Sequence, residues 1–173
     1  MTRPRISVYI AHSVDGYIAD ADGSLDWLFV RAGDEDYGYR EFMTHVDGLA
    51  MGRRTWDFIA DEPDLPFEGR PAYVFTRREA QPHDGVTFWT RTADEALVEW
   101  EAAGLRHVYV DGGHLISQFL AAGLVDDLTL TVVPVLLGSG ARLFREIPSV
   151  TPLRLVSSTP YPTGLVQLRY VRV

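Results

Sequence analysis

Short runs rich in apolar and aromatic residues stop at a glycine or an arginine pair and hand over to segments of helical period, again and again through the middle of the chain. GLAMG at 48–52 precedes RRTWDFIA, GVTFW at 85–89 precedes TADEALVEWEAAG, and HVYVDGG at 107–113 precedes HLISQFLAAG. Strands that alternate with helices permit few architectures, because the crossover helices must cover the faces of a largely parallel sheet. The pattern predicts an α/β sheet with helices on both faces. Its last segment, TPLRLVSSTPYPTGLVQLRYVRV, predicts two strands joined by a Pro/Gly turn, so the sheet is mixed and closes in an antiparallel hairpin.

Individual elements follow from the same signals. RISVYIA predicts a first strand that the Asp15-Gly16 turn interrupts before YIA at 17–19 resumes it. Residues 20–28 predict a turn-rich segment anchored by Trp27 and Leu28, and 34–46 predict a helix of about three turns. AYVFT at 72–76 predicts another strand, and the proline-rich stretch 62–71 a loop. Thr92 with Glu95 three residues later marks a capped helix start, and Gly104 its end. LVDDLTLTVVPVLLG predicts a strand that Pro134 ends or marks as an edge. A length of 173 residues, with no repeat or linker, predicts one domain over 1–173.

Composition narrows the chemistry. Cysteine is absent, which removes disulfides, zinc-thiolate sites and a thiol nucleophile. All 16 basic residues are arginine, so Schiff-base and lysine general-base mechanisms are excluded. A net charge of -8 opposes a nucleic-acid partner and requires any phosphate site to be local. His45, His83, His107 and His114 lack ligand spacing, so no metal is expected. No apolar run reaches the roughly 20 residues that span a bilayer, and the N-terminus lacks a cleavage signal, so a cytoplasmic protein without a membrane partner is expected.

Ligands of open α/β sheets bind at the carboxyl ends of the strands. There the sequence places Gly52-Arg53-Arg54-Thr55, then Thr76-Arg77-Arg78, then Asp111-Gly112-Gly113. Guanidinium groups grip phosphate oxygens, and glycines let a pyrophosphate approach backbone N–H groups. Together they imply an anionic dinucleotide, held without the G-x-G-x-x-G fingerprint.

SVDGYIA at 13–19, DW at 26–27, MGRRTW at 51–56, VFTRR at 74–78, the long stretch VYVDGGHLISQFLAAGLVDDLTLTVVPVLLGSG at 108–140 and ARLF at 141–144 carry a resemblance along nearly the whole chain. The sequence resembles the dihydrofolate reductase superfamily, in the branch of the C-terminal reductase domain of bacterial riboflavin-biosynthesis proteins. That resemblance implies a three-layer α/β/α fold with a mixed, mostly parallel sheet. It implies hydride transfer from NADPH to a small heterocyclic or ribosylamine substrate, with 5-amino-6-(5-phosphoribosylamino)uracil reductase as the nearest activity. A dihydrofolate reductase-type activity and a non-catalytic nucleotide-binding protein are the alternatives. By position, Arg53 would meet the cofactor's 2'-phosphate and Thr55 its pyrophosphate, with Arg54 at a variable position between them. Thr76 and Arg77 would line the adenosine ribose phosphate, Gly112 and Gly113 the pyrophosphate, and Ala11 and Ile18 the nicotinamide carboxamide. Asp111 replaces a usual glycine and brings a carboxylate to that place. Asp36, 16 residues before Gly52, and Asp15 are the expected acids, and Trp27 and Tyr39 the expected substrate contacts. Relatives form homodimers, so a homodimer is implied as well.

Overall fold

The computed structural model describes residues 3–62, 65 and 69–173. Eight strands form one sheet in the order β5-β4-β3-β6-β1-β7-β10-β9. They are β1 (Arg5–Ser13), β3 (Gly48–Gly52), β4 (Ala72–Phe75), β5 (Val86–Trp89), β6 (His107–Asp111), β7 (Asp127–Val133), β9 (Leu153–Pro160) and β10 (Val166–Arg172). The first six in that order run parallel, β10 is antiparallel to β7, and β9 is antiparallel to β10. The mixed, mostly parallel sheet and the C-terminal hairpin are therefore as expected.

Both faces are covered, which makes three layers. On one, Ile6 and Val8 of β1, Val108 and Val110 of β6 and Leu128 of β7 pack on α4 (Ala93–Ala102) and α5 (Gly113–Ala121) through Trp100, Ile116 and Phe119. On the other, Leu49 and Met51 of β3, Val74 of β4 and Tyr109 of β6 pack on Met43 of α2 (Tyr39–Thr44) and Trp56 of α3 (Arg53–Ile59). A smaller cluster of Tyr37, Val133 and Leu165 receives Trp27, Leu28 and Ala32 from α1 (Asp26–Ala32). The capping box forms as the sequence predicts: Thr92 Oγ1 accepts the Glu95 N–H, and the Glu95 carboxylate accepts the Thr92 N–H.

Four expectations are corrected. The helix over 34–46 shrinks to Tyr39–Thr44, because Tyr37 (φ 55°) and Gly38 (φ 85°) take the left-handed conformation that a helix cannot contain. Asp36 thus stands in the turn ahead of α2 and not on it. The turn-rich stretch 20–28 runs into a helix, α1, whose start lies at Asp26. The continuation of the first strand, β2 (Tyr17–Ala19), leaves the large sheet and pairs with a short β8 (Ala141–Arg142) in a separate ribbon. Finally, the LTLTVV strand, expected beside an open edge, is β7 and lies between β1 and β10; the edge strand is β9. Much of the 62–71 loop lies outside the described residues.

Candidate active site

The sheet opens at its carboxyl edge. β1 pairs with β6 only over Arg5–Ser7 with His107–Tyr109, whereas it pairs with β7 all the way to Ser13 and β6 pairs with β3 up to Asp111. Beyond Ser7 the two strands part, and the bridge across the gap is a side chain: the Tyr109 hydroxyl donates to Tyr9 O at 2.8 Å. The order also reverses here, with β3 on one side of β6 and β7 on the far side of β1. A reversal point of this kind is where open α/β sheets bind ligands.

Around the gap stand the glycine and arginine segments. Gly112, the N-cap of α5, has φ 90°, and a Cβ there would come within 2.7 Å of Thr55 Oγ1, so the starts of α3 and α5 touch. Gly52 at the end of β3 has open space where a Cβ would go. Gly113 differs: a Cβ there would overlap Arg142 O and lie 2.8 Å from Leu143 O, so this glycine is required by β8 packing against α5.

The arginines divide. Arg53 Nε donates to Asp57 Oδ1 at 2.6 Å and its Nη1 to Glu79 O at 3.2 Å, one turn along α3 and across to the chain after β4. It lines a shallow depression of about 390 Å³ with Glu79, Ala80 and Gln81. Arg54, Arg77 and Arg145 have no carboxylate partner among the described residues. All three act on His114 in the first turn of α5, whose imidazole is held below its ordinary pKa by desolvation and then by Arg145, Arg54 and Arg77. Arg145 is fixed there because its N–H donates to Ser117 Oγ of α5 at 2.9 Å. Thr76 is buried and its Oγ1 accepts the Arg78 N–H at 3.0 Å, which shapes the turn that presents Arg77. Arg145 and His114 escaped the motif reading: Arg145 follows a two-residue strand with no periodic signal, and His114 gains meaning only from neighbours distant in sequence.

The two expected acids are both engaged in loops. Asp15 accepts from Ser13 Oγ at 2.6 Å, Leu137 N at 3.1 Å and Gly138 N at 2.7 Å. The Ser13 hydroxyl first, then those amides, lower its pKa to about 2. Asp36 accepts from Gly38 N at 3.0 Å and Arg40 N at 3.3 Å, which lowers its pKa too. As proton donors both are disfavoured: each is held ionised by the bonds that build its turn. Asp111 behaves in the opposite way. Its carboxyl turns back to the Gly112 N–H at 2.7 Å and to Tyr109, and desolvation raises its pKa to about 6.

The expected substrate contacts lie in adjoining clusters. Tyr39 stacks edge-on against Tyr9 at 5.7 Å and Tyr109 at 6.3 Å, on the face that Asp111 also occupies. Trp27 is half-buried in the α1 cluster with its Nε1 on Ser24 O at 3.2 Å. Gln167 joins the two, donating to Tyr9 Oη at 3.0 Å and to Tyr37 O at 2.9 Å. Ala11 stands on β1 beyond the parting and Ile18 on β2, both half-buried. Among the described residues no His, Asp and Glu group could hold a metal ion, and no helix is long and apolar enough to cross a membrane.

Residues 4–167 match the RibD C-terminal domain. The chain belongs to that family. An uncharacterised protein of Bacillus subtilis (strain 168), YwjB, is 36% identical over 95% of this chain and 96% of its own. A candidate riboflavin biosynthesis protein from Shewanella sp. PV-4 has a crystal structure that superposes with a TM-score of 0.90, at 34% identity, over 98% of this chain and 99% of that one. The riboflavin biosynthesis protein RibD of Corynebacterium ammoniagenes is 33% identical over 81% of this chain but only 46% of its own length. The Thermotoga maritima deaminase/5-amino-6-(5-phosphoribosylamino)uracil reductase shares the fold, with a TM-score of 0.75 at 16% identity. RibD C-terminal domains are riboflavin-pathway reductases of dihydrofolate reductase-like fold, in agreement with the family that the sequence motifs imply.

Proposed function

We propose that this RibD C-terminal domain is an NADPH-dependent reductase that transfers hydride to a small electron-poor heterocycle or ribosylamine. The observation that carries the reading is the cationic cluster beside the parted strands: Arg54, Arg77 and Arg145 converge on the start of α5 without carboxylate partners, in a chain of net charge -8. Such a cluster fits phosphate groups, and Gly52 and Gly112 leave backbone accessible next to it. When bound, NADPH supplies the hydride. Arg54, Arg77 and Arg145 would hold its phosphates, the Thr55 hydroxyl and the Gly112 backbone its pyrophosphate, and the parted β1 segment around Ala11 its nicotinamide. Arg53, paired with Asp57, would act mainly through α3 and the Glu79 turn. The aromatic face of Tyr9, Tyr39 and Tyr109 suits a flat heterocycle. A cytoplasmic homodimer belongs to the same proposal, and the exposed edge strand β9, with Leu155 and Val156 about half exposed, supports it.

Fluorescence titration with NADPH and with NADH tests the reading. NADPH is expected to bind more tightly, and Arg77→Ala and Arg145→Ala to weaken it about tenfold or more while narrowing the gap to NADH. Equal, unchanged binding in both variants, or no binding of either nucleotide to the wild type, would defeat it.

A further inference from the structure

Asp111 occupies the end of β6 where β1 has already parted from it, and it is opposite Met51 in the β3–β6 register. Its Oδ1 accepts the Gly112 N–H at 2.7 Å. Its other polar contact is the Tyr109 hydroxyl, two residues earlier on the same face of the sheet. That hydroxyl owns one hydrogen and lies 2.8 Å from Tyr9 O, a carbonyl that can only accept. When the hydrogen goes to Tyr9, the Tyr109 oxygen offers Asp111 a lone pair, and the contact is a hydrogen bond only if Asp111 carries a proton. When Asp111 is ionised, it competes with Tyr9 O for the single hydrogen and one acceptor goes unpaired. Asp111 has no ion-pair partner among the described residues. The neighbouring Gly52 and Thr55 of β3 and α3 are uncharged. Tyr109 is therefore the titratable group that faces it. Desolvation acts in the same direction, raising the carboxyl to about 6.

We propose that Asp111 is the proton donor of the reduction, protonating the heteroatom of a C=N or C=O bond as the adjoining carbon accepts hydride. The inference rests on the reductase reading above. The carbon gains the hydride from the reduced nicotinamide, the π pair moves to nitrogen or oxygen, and that atom takes the Asp111 proton. The substrate thus gains two electrons and two hydrogens, the nicotinamide is oxidised, and the Asp111 carboxylate regains a proton from solvent. A neutral Asp111 also removes the conflict that a carboxylate would create beside a bound pyrophosphate.

Two measurements test this on the full chain. Infrared difference spectra of wild type against Asp111→Asn should contain a protonated carboxyl band that titrates near pH 6. A band already gone below about pH 4.5 overturns the proposal, whatever turnover does. Stopped-flow NADPH oxidation, with 5-amino-6-(5-phosphoribosylamino)uracil or dihydrofolate as probe, supplies the second. Wild-type turnover should fall about tenfold per pH unit well above pH 6, and Asp111→Asn should lower it about 10²–10⁴-fold with a flat profile. NADPH affinity should stay within about threefold, and Asp111→Glu should restore part of the rate and of the pH dependence. Wild-type rate and pH profile in Asp111→Asn would overturn the proposal. Failure of the wild type to bind NADPH would overturn the reductase reading itself, and the infrared titration would still decide whether Asp111 holds a proton.

Discussion

Asp15 and Asp111 are carboxyl groups beside the same sheet edge, and their surroundings push them in opposite directions. Three hydrogen bonds favour ionised Asp15 and take it to about 2. Because the folded value lies below the unfolded one, Asp15 stabilises the fold above about pH 4, and that stabilisation is lost as pH falls toward 2. Asp15→Asn should flatten the acid limb of the stability curve and speed amide exchange at Leu137 and Gly138, which exchange NMR would measure. An unchanged acid limb would count against the clamp. For Asp111 the folded value, about 6, lies above the unfolded one. Both states keep the proton below about pH 4; between about 4 and 6 only the unfolded chain gives it up, so stability declines across that window and stays lower above it. The cost at neutral pH is on the order of 3 kcal/mol, since each tenfold difference in proton affinity between folded and unfolded chain is worth about 1.4 kcal/mol. Urea midpoints of Asp111→Asn should therefore gain on wild type from pH 4 to pH 7, and a constant difference would show that the carboxyl is already ionised in the fold.

Two glycines separate what an element needs for packing from what it leaves for a ligand. At Gly113 a methyl group would overlap Arg142 O, and backbone cannot step aside as a side chain can, so Gly113→Ala should cost about 1–3 kcal/mol in urea unfolding. Gly52 has extended dihedrals, φ -76° and ψ 162°, and free space around it. Gly52→Ala should leave stability within about 1 kcal/mol of wild type yet weaken NADPH about tenfold, because the methyl would occupy the approach to backbone. Equal NADPH affinity would remove Gly52 from the site. The sequence could not separate these glycines, since both follow a strand and precede a helix. What it did carry was strand and helix alternation, the Thr92–Glu95 cap and the hairpin, all set by residues adjacent in the chain. It carried α2 poorly, because apolar spacing over 34–46 takes no account of the left-handed Tyr37 and Gly38. The short β8 was invisible, since two residues have no period and its partner β2 is more than 100 residues earlier. In the site, the arginines that follow strands were legible, whereas the pairing of Arg53, the freedom of Arg145 and the enclosure of Asp111 depend on contacts across the fold.

At the scale of the whole molecule, cohesion is uneven. β1, β3 and β6 carry side chains of zero exposure, among them Ile6, Val8, Ala50, Val108 and Val110, and helices cover them on both faces. β9 is exposed at every position but Ser157, and α1 has no buried residue. Amides in the central strands should exchange only with global unfolding, while β9 and α1 should exchange through local opening at much lower free energy. Mass-spectrometric hydrogen exchange, peptide by peptide, would measure that order. The same experiment separates the cofactor half of the edge from the substrate half. NADPH should add protection at the first turns of α3 and α5, where Thr55 meets Gly112 and the arginines gather, and leave α1 unchanged, because Trp27, Leu28 and Ala32 touch the other cluster. Protection of α1 by NADPH alone would mean that the two halves form one binding surface, and that the α1 helix closes over the cofactor and not over a substrate.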